Sequence, residues 1–285
     1  MNQPVTPSFG ERARRALDAY GPLCVGIDPH AALLTSWNLP DSAAGAREFG
    51  LRAVDAAAGR VGLIKPQVSF FERFGSAGFT ALEDVLARAR QTELLVIADA
   101  KRGDIGTTMD AYAAAWLTPD SPLEADALTV NPFLGVGALD STFALAQLGG
   151  KGVFVLAATS NPEAALVQRS RSAMGESVSS TIIAEVSGHN ARVTEAGKWG
   201  SVGFVIGATV DWGEAALIAV DPPAAILAPG FGAQGATPAD LHERFGSHTP
   251  MVIAAESRSI LSAGPDALTA TIEARVRQYQ EVSHV

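Results

Sequence analysis

The segment VIADAKRGDIGTT, residues 96–108, places two acidic and two basic side chains within six residues. Asp99, Lys101, Arg102 and Asp104 follow a short apolar run. Asp99 and Lys101 are two positions apart, so on an extended segment their side chains point to the same side. A lysine beside carboxylates stays protonated, because a nearby opposite charge favours its charged form. The spacing therefore predicts a fixed ammonium group, which is suited to stabilising developing negative charge and to donating a proton.

Short apolar runs that alternate with longer helical patterns must position these side chains. Near-continuous apolar runs are typical of parallel strands buried on both faces, and their alternation with helical segments is typical of βαβ units. Eight such runs occur, at 23–28, 61–66, 94–99, 127–132, 152–160, 203–209, 224–230 and 250–257. Helical spacing of apolar residues occurs at 41–60, 79–91, 107–117, 138–149 and 265–280.

Eight strand and helix units in a chain of 285 residues predict a (β/α)8 TIM barrel, an α/β fold that typically takes about 250 residues. No Pro/Ser-rich linker or block of charge divides the chain, so we expect one catalytic domain over residues 1–285. A doubly wound open sheet alternates in the same way. The number of units and the polar residues at the strand ends favour the barrel.

Composition excludes several classes of partner. The formal net charge of −9 opposes binding to nucleic acid or to an anionic membrane, both of which need a basic face. Cys24 is the only cysteine, so an intrachain disulfide and a multi-cysteine metal site are excluded, and a reducing compartment is expected. The five histidines show no metal-ligand spacing. No apolar run has the length of a signal-peptide core near the start or of a membrane span later, so we expect a cytoplasmic protein.

Polar residues stand at the ends of nearly all the predicted strands. In a (β/α)8 barrel the active site is built at the carboxyl ends of the strands. Only four of the 21 basic residues are lysines, and Lys65 and Lys101 both stand at strand ends. One such residue alone could be a helix cap or a snorkelling side chain. The strand-end residues are Asp28, Lys65, Asp99 with Lys101 and Asp104, Asn131, Thr159 to Asn161, Thr209, the glycine-rich loop after Pro229, and Ser257 with Arg258.

The motifs at these strand ends resemble those of the orotidine 5'-monophosphate decarboxylase family, in particular its longer bacterial subgroup. DAKRGD, an Asp-x-Lys-x-x-Asp pattern followed by IGTT, resembles the active-site motif of the family. The pattern alone is shared with sugar-phosphate decarboxylases and aldol-type synthases of the same wider group. VGIDPH, IKPQVSFFE, TVNPFLG, TSNP, APGFGAQGAT and ESRSIL resemble the family segments at the first, second, fourth, fifth, seventh and eighth strands.

This resemblance implies conversion of orotidine 5'-monophosphate to UMP and CO2, the last step of de novo pyrimidine nucleotide biosynthesis, with neither metal nor organic cofactor. It implies that Lys65, Asp99, Lys101 and Asp104 form an alternating charged network at the reacting carbon. Lys101 would donate the proton to pyrimidine C6 after CO2 leaves. Asp99 would lie beside the departing carboxylate, and Lys65 would orient the network and contact the ribose.

The ribose, the pyrimidine and the phosphate of this substrate would each need further binding residues. Asp28 suits the ribose hydroxyls, although it could simply begin the turn at DPH. Ser160 resembles the family serine that hydrogen-bonds the pyrimidine. Phosphate sites of such barrels often use the loops after strands seven and eight, where Gln234 and Arg258 supply side-chain donors. Glu256 would repel the phosphate unless its side chain points away.

The family also implies a homodimer in which Asp104 and Thr108 reach into the site of the neighbouring subunit. The alternative is that Asp104 only caps a helix that begins near Ile105.

Other activities remain open on the same barrel. A metal-dependent sugar-phosphate decarboxylase or aldol-type synthase would need carboxylates for Mg²⁺ where Lys65 places a cation. A Schiff-base aldolase would need a neutral lysine, which flanking acids disfavour. An inactive nucleotide-binding barrel would not need the charged network. An assay with orotidine 5'-monophosphate, with and without EDTA, separates these alternatives.

Overall fold

The computed structural model describes residues 7–283, in which eight parallel strands form a closed barrel in chain order, β1 to β8. This confirms the predicted (β/α)8 architecture. Each strand pairs in parallel with its neighbours, and β8 closes the sheet against β1. The strands are β1 Leu23–Ile27, β2 Leu63–Pro66, β3 Leu95–Arg102, β4 Ala127–Val130, β5 Gly152–Ala158, β6 Gly200–Ile206, β7 Ala224–Pro229 and β8 Val252–Glu256.

Most of the helices lie between the strands; in the described chain one helix precedes β1 and two follow β8. They are α1 Phe9–Tyr20, α2 Ala31–Ser36, α3 Ala43–Ala57, α4 Ser69–Glu72, α5 Gly75–Ala89, α6 Gly106–Leu117, α7 Asp140–Leu148, α8 Ala165–Gln168, α9 Val178–Val193, α10 Leu241–Phe245, α11 Arg258–Leu261 and α12 Leu268–Ser283. Short 3-10 turns occupy Val136–Leu139, Pro162–Ala164, Pro238–Asp240 and Gly246–Met251. Within residues 7–283, no helix has both the length and the apolar character needed to cross a membrane.

The strand alternation separates two apolar layers. Inward-facing side chains such as Cys24, Leu63 and Ile97 fill the barrel, while their strand neighbours pack against the helices. Helix α1, which the sequence patterns did not predict, adds Phe9 to the inner layer, where its ring meets Phe154 edge to face at 5.8 Å. The hydroxyl of Ser8 caps this helix by accepting from the N–H of Glu11.

The connection 161–199 contains structure that the sequence left unassigned. It forms helices α8 and α9, and Asn190 of α9 donates from Nδ2 to the carbonyl of Val202 in β6 at 2.7 Å. The connection between β6 and β7 is different, because residues 207–223, all of them described, consist of turns and irregular backbone without a helix. The strict strand and helix alternation is therefore interrupted at this one junction.

Candidate active site

Three charged side chains meet at the carboxyl ends of β2 and β3. Lys65 Nζ donates to Asp99 Oδ2 at 2.8 Å, and Lys101 Nζ donates to Asp99 Oδ1 at 2.5 Å. Side chains alternate between the two faces of a strand. Lys65 lies two positions after Leu63, and Asp99 two positions after Ile97, so both point into the barrel as Leu63 and Ile97 do. Lys65 and Asp99 have only 8% of their side chains exposed, against 44% for Lys101. Lys101 is thus the most exposed member of the cluster.

The charges of the buried pair support each other. Burial disfavours the charged form of Lys65, but Asp99 and Asp28 outweigh it and raise the pKa of Lys65. Burial likewise opposes ionisation of Asp99, yet Lys65 and Lys101 hold the pKa of Asp99 well below its usual range. The site therefore holds a carboxylate between two amines at neutral pH, with the buried amine protonated.

The third strand is longer than predicted, and it carries the charged residues in a bulge. The predicted end at Asp99 is wrong, because β3 continues to Arg102. The backbone at Lys101 is not extended but left-handed, with φ of 48°. The side chains of Asp99 and Lys101 still meet, because the bulge rotates the chain between them. Arg102 points elsewhere and pairs with Glu72 at 3.0 Å.

A cavity of about 100 Å³ adjoins this cluster at the ends of β1, β7 and β8. Its lining includes Asp28, Lys65, Gln234 and Arg258, so the structure brings together four of the predicted site residues. Asp28 Oδ1 is buried and has no hydrogen-bond partner among the described residues. Buried polar atoms usually have a hydrogen-bond partner. The unpartnered carboxylate oxygen therefore favours binding of a ligand hydroxyl, rather than stabilisation of a turn, as the role of the Asp28 side chain. The backbone alone makes that turn, with His30 N–H donating to Asp28 O.

The conformation of the glycine-rich loop after β7 is restricted both by its own turns and by contact with side chains at the end of β8 and in α11. Gly232 has a φ of 72°, and a Cβ there would lie 2.2 Å from Ser259 Oγ and 2.8 Å from Glu256 Oε2. Only glycine fits such a position. The N–H groups of Gly232, Gly235 and Ala236 donate to carbonyls inside the loop. These amides close the loop. Gln234 is an exposed side-chain donor within it, and Arg258 is exposed at the start of α11, after β8.

Glu256 borders the same cavity, but its carboxylate is bound by side chains of α11 and α12. Its carboxylate accepts from Tyr279 Oη at 2.8 Å and from Ser259 Oγ at 2.6 Å, and Arg275 Nε lies at 3.3 Å. Burial, followed by the charge of Glu256, raises the pKa of Tyr279. A carboxylate neutralised by Arg275 and bonded on both oxygens does not oppose an anion at Arg258.

Asp104 and Thr108 lie outside the charged cluster of their own chain. Asp104 Oδ1 accepts from the N–H of Ile105 at 2.8 Å, and Asp104 forms no ion pair within residues 7–283. Helix α6 begins at Gly106, and its N-cap residue, Ile105, has no side-chain cap. The Asp104 carboxylate therefore bonds to the amide that precedes α6 and not to the amides of its first turn. Thr108 is exposed on the first turn of α6.

Ser160 lies at the rim of the barrel mouth. It is exposed and lines a hollow of about 150 Å³ with Asn161 and Thr209, separate from the cavity at Asp28. Thr159 and Asn161 bond to each other at 2.7 Å, so they hold the turn after β5. A larger cavity of about 810 Å³ is lined by Lys101, by Leu156 of β5, and by residues of the loops that follow β4 and β5.

Two residues that the sequence analysis did not select hold Asp99 in place. Gln67 Nε2 donates to the carbonyl of Asp99 at 3.2 Å. The Thr129 hydroxyl lies 3.0 Å from Asp99 Oδ1. The available signal was a polar residue at an inward-facing position of the apolar run ALTV, next to a strand that carries a charged motif.

Cys24 lies near Lys65, Asp99 and Asp28, but it is not reactive. Burial raises the pKa of Cys24 to about 12, so its thiol is not a nucleophile at neutral pH. Within residues 7–283, no group of three or more His, Cys, Asp or Glu side chains is arranged to hold a metal ion.

A closed eight-stranded barrel with charged side chains at the carboxyl ends of its strands defines the class of (β/α)8-barrel enzymes. Residues 21–271 match the model of the orotidine 5'-phosphate decarboxylase / HUMPS family. The chain belongs to this family.

Its relatives are similar over nearly their whole length. Orotidine 5'-phosphate decarboxylase of Salinispora arenicola is 52% identical over 91% of both chains. The enzyme of the same name from Corynebacterium glutamicum is 49% identical over 91% of this chain and 92% of its own. The crystal structure of a proposed orotidine 5'-phosphate decarboxylase from Streptomyces avermitilis is 45% identical, with a TM-score of 0.92 over 98% of this chain and 97% of that chain.

Proposed function

We propose that this protein is a carboxy-lyase that converts orotidine 5'-monophosphate to UMP and CO2 in pyrimidine nucleotide biosynthesis. The observation that carries the proposal is the Lys65, Asp99 and Lys101 cluster, set beside a polar cavity in a barrel of this family. The chemistry needs a protonated amine at the carbon that loses CO2, and the exposed Lys101 supplies one.

In the proposed reaction the bond between C6 and the carboxylate breaks, and its electron pair stays on C6. The Lys101 ammonium stabilises that pair and then gives it a proton, leaving a neutral amine that solvent reprotonates. Asp99 and Lys65 are held in fixed positions before the reaction begins, so their electrostatic effect needs no rearrangement. Asp99 would also lie beside the leaving carboxylate, and Lys65 would contact the ribose.

The rest of the nucleotide would occupy the polar cavity. We assign the ribose hydroxyls to Asp28, whose Oδ1 lacks a partner among the described residues. Gln234 and Arg258 would bind the phosphate, because Arg258 presents a planar fork that matches its oxygens. Ser160 would hydrogen-bond the pyrimidine, which requires the rim of the mouth to move inward when the substrate binds.

We also propose that the protein is a homodimer with shared sites. Asp104 and Thr108 have no contact with the charged cluster of their own chain, while large apolar side chains beside the mouth are exposed, including Ile105 and Phe133. A second copy would cover these side chains and receive Asp104 and Thr108 next to its own Lys101. A cytoplasmic location and one catalytic domain over residues 1–285 complete the proposal.

The test is a spectrophotometric assay with orotidine 5'-monophosphate, run with and without EDTA. We expect consumption of the substrate, formation of UMP, and the same rate with EDTA. No reaction with this substrate, together with EDTA-sensitive turnover of a sugar phosphate, would establish the metal-dependent alternative instead.

A further inference from the structure

The pairing of β3 with β4 is interrupted at the charged motif. Ile97 and Ala98 pair with Ala127 and Leu128, and the ladder resumes only where Arg102 pairs with Val130. On β3, residues 99–101 therefore stand opposite the single residue Thr129 of β4. The bulge directs Asp99 and Lys101 into the barrel mouth, and it removes the regular backbone partners of this stretch on the β4 side.

The Thr129 hydroxyl supplies the missing partner. It accepts from the backbone N–H of Lys101 at 3.0 Å, and it lies 3.0 Å from Asp99 Oδ1. The hydroxyl has a single proton, and the carbonyl of Ala98 at 3.5 Å is the competing acceptor. The shorter distance and the negative charge of the carboxylate direct the proton to Asp99.

One buried hydroxyl thus joins the backbone of the proton donor to the carboxylate beside it. Thr129 has no exposed surface. Lys101 has a left-handed backbone, which is unfavourable for a residue with a side chain and must be held by its surroundings. Removal of the hydroxyl would leave the Lys101 amide without its acceptor and Asp99 with only its two lysine donors.

We propose that Thr129 is a positioning residue for decarboxylation, which fixes the Lys101 ammonium relative to Asp99 without touching the substrate. This inference rests on the proposed function. A small displacement of a reacting group lowers kcat more than ground-state binding. Thr129 should therefore matter for turnover and little for affinity towards the product.

The test compares Thr129→Val, which keeps the shape, with Thr129→Ser, which keeps the hydroxyl. Thr142→Val is the matched control, because Thr142 is also fully buried but its hydroxyl has no partner among the described residues. We expect Thr129→Val to lower kcat by about tenfold or more with the UMP dissociation constant changed by less than about threefold. Thr129→Ser should recover most of the lost kcat, and Thr142→Val should behave as the unmodified enzyme.

Other outcomes overturn the proposal. They are a kcat of Thr129→Val within about threefold of the unmodified enzyme, a loss of UMP affinity as large as the loss of kcat, or a Thr129→Ser variant as impaired as Thr129→Val. If Thr129→Val does not fold, the pair Thr129→Ser and Thr129→Ala makes the same comparison. An unmodified enzyme that fails to decarboxylate orotidine 5'-monophosphate would instead refute the proposed function.

Discussion

Lys65 and Asp99 form a buried ion pair in the barrel mouth, with Nζ and Oδ2 at 2.8 Å. Each group keeps its charge because the other is present, since burial alone would favour both neutral forms. Breaking such a pair leaves an uncompensated buried charge. The pair therefore links the stability of the fold to the chemistry of the site.

Asp99→Asn should lower the free energy of unfolding by about 3 kcal/mol at pH 7. The folded state depresses the pKa of Asp99. The stabilisation by its charge is thus complete above about pH 5 and is lost as pH falls below the unfolded-state pKa of about 3.9. Urea unfolding at several pH values should show the variant approaching the unmodified protein in acid. Asp84→Asn, at an exposed pair with Arg47, should have a much smaller effect on stability. A pH-independent difference for Asp99→Asn would contradict this account.

Lys101→Ala should abolish turnover while UMP still binds. A proton donor acts in the transition state, so its removal is expected to reduce kcat by roughly a thousandfold or more and to change product affinity far less. Steady-state kinetics and calorimetric titration with UMP measure the two effects. Lys198→Ala is the control, because Lys198 pairs with Glu11, outside the cavities that contain Lys101 and Asp28. Turnover near that of the unmodified enzyme in Lys101→Ala would remove Lys101 from the reaction.

The barrel and the meeting of Lys65 with Asp99 were predictable because both follow from local patterns. Strand period decides which side chains point inward, and the carboxyl ends of parallel strands meet at one mouth. The bulge and the left-handed backbone at Lys101 were not predictable, since they depend on how β3 pairs with β4. The direction of Glu256 depends on Tyr279 in α12, a contact between distant parts of the chain. The burial of Phe9 in the core also depends on contacts with distant parts of the chain, so it was not predictable either.

Arg258→Ala should mainly impair reaction of substrates that carry the phosphate. Remote phosphate contacts lower the barrier at the base by holding the reactive, closed form, so we expect a loss of roughly a hundredfold in kcat/KM for orotidine 5'-monophosphate. The loss should shrink for orotidine, which lacks the phosphate. Arg52→Ala, which disrupts an exposed pair with Glu48, is the control. An equal loss with both substrates would assign Arg258 another role.

Tyr279→Phe should destabilise the fold by about 2 kcal/mol, because Glu256 loses a buried donor to Oε1. Tyr20→Phe removes a hydroxyl that donates to Glu93 Oε2 at 3.4 Å on the surface, and should cost less than about 0.5 kcal/mol. Urea unfolding of both variants measures the difference. Equal stability of the two variants would mean that the buried bond contributes nothing beyond a surface contact.

Mixed dimers test whether Asp104 acts across a subunit interface. Lys101→Ala and Asp104→Ala chains are denatured together and refolded, with exchange measured independently and each parent variant shown to be severely impaired. In a twofold dimer with shared sites, each mixed dimer has one site with both residues intact and one with neither, because the lesions then lie in the same site. About half the dimers are mixed, so about a quarter of all sites should regain activity. If Asp104 acts within its own chain, every site keeps one lesion. Activity no greater than the mean of the two parents would then place Asp104 outside the partner's site.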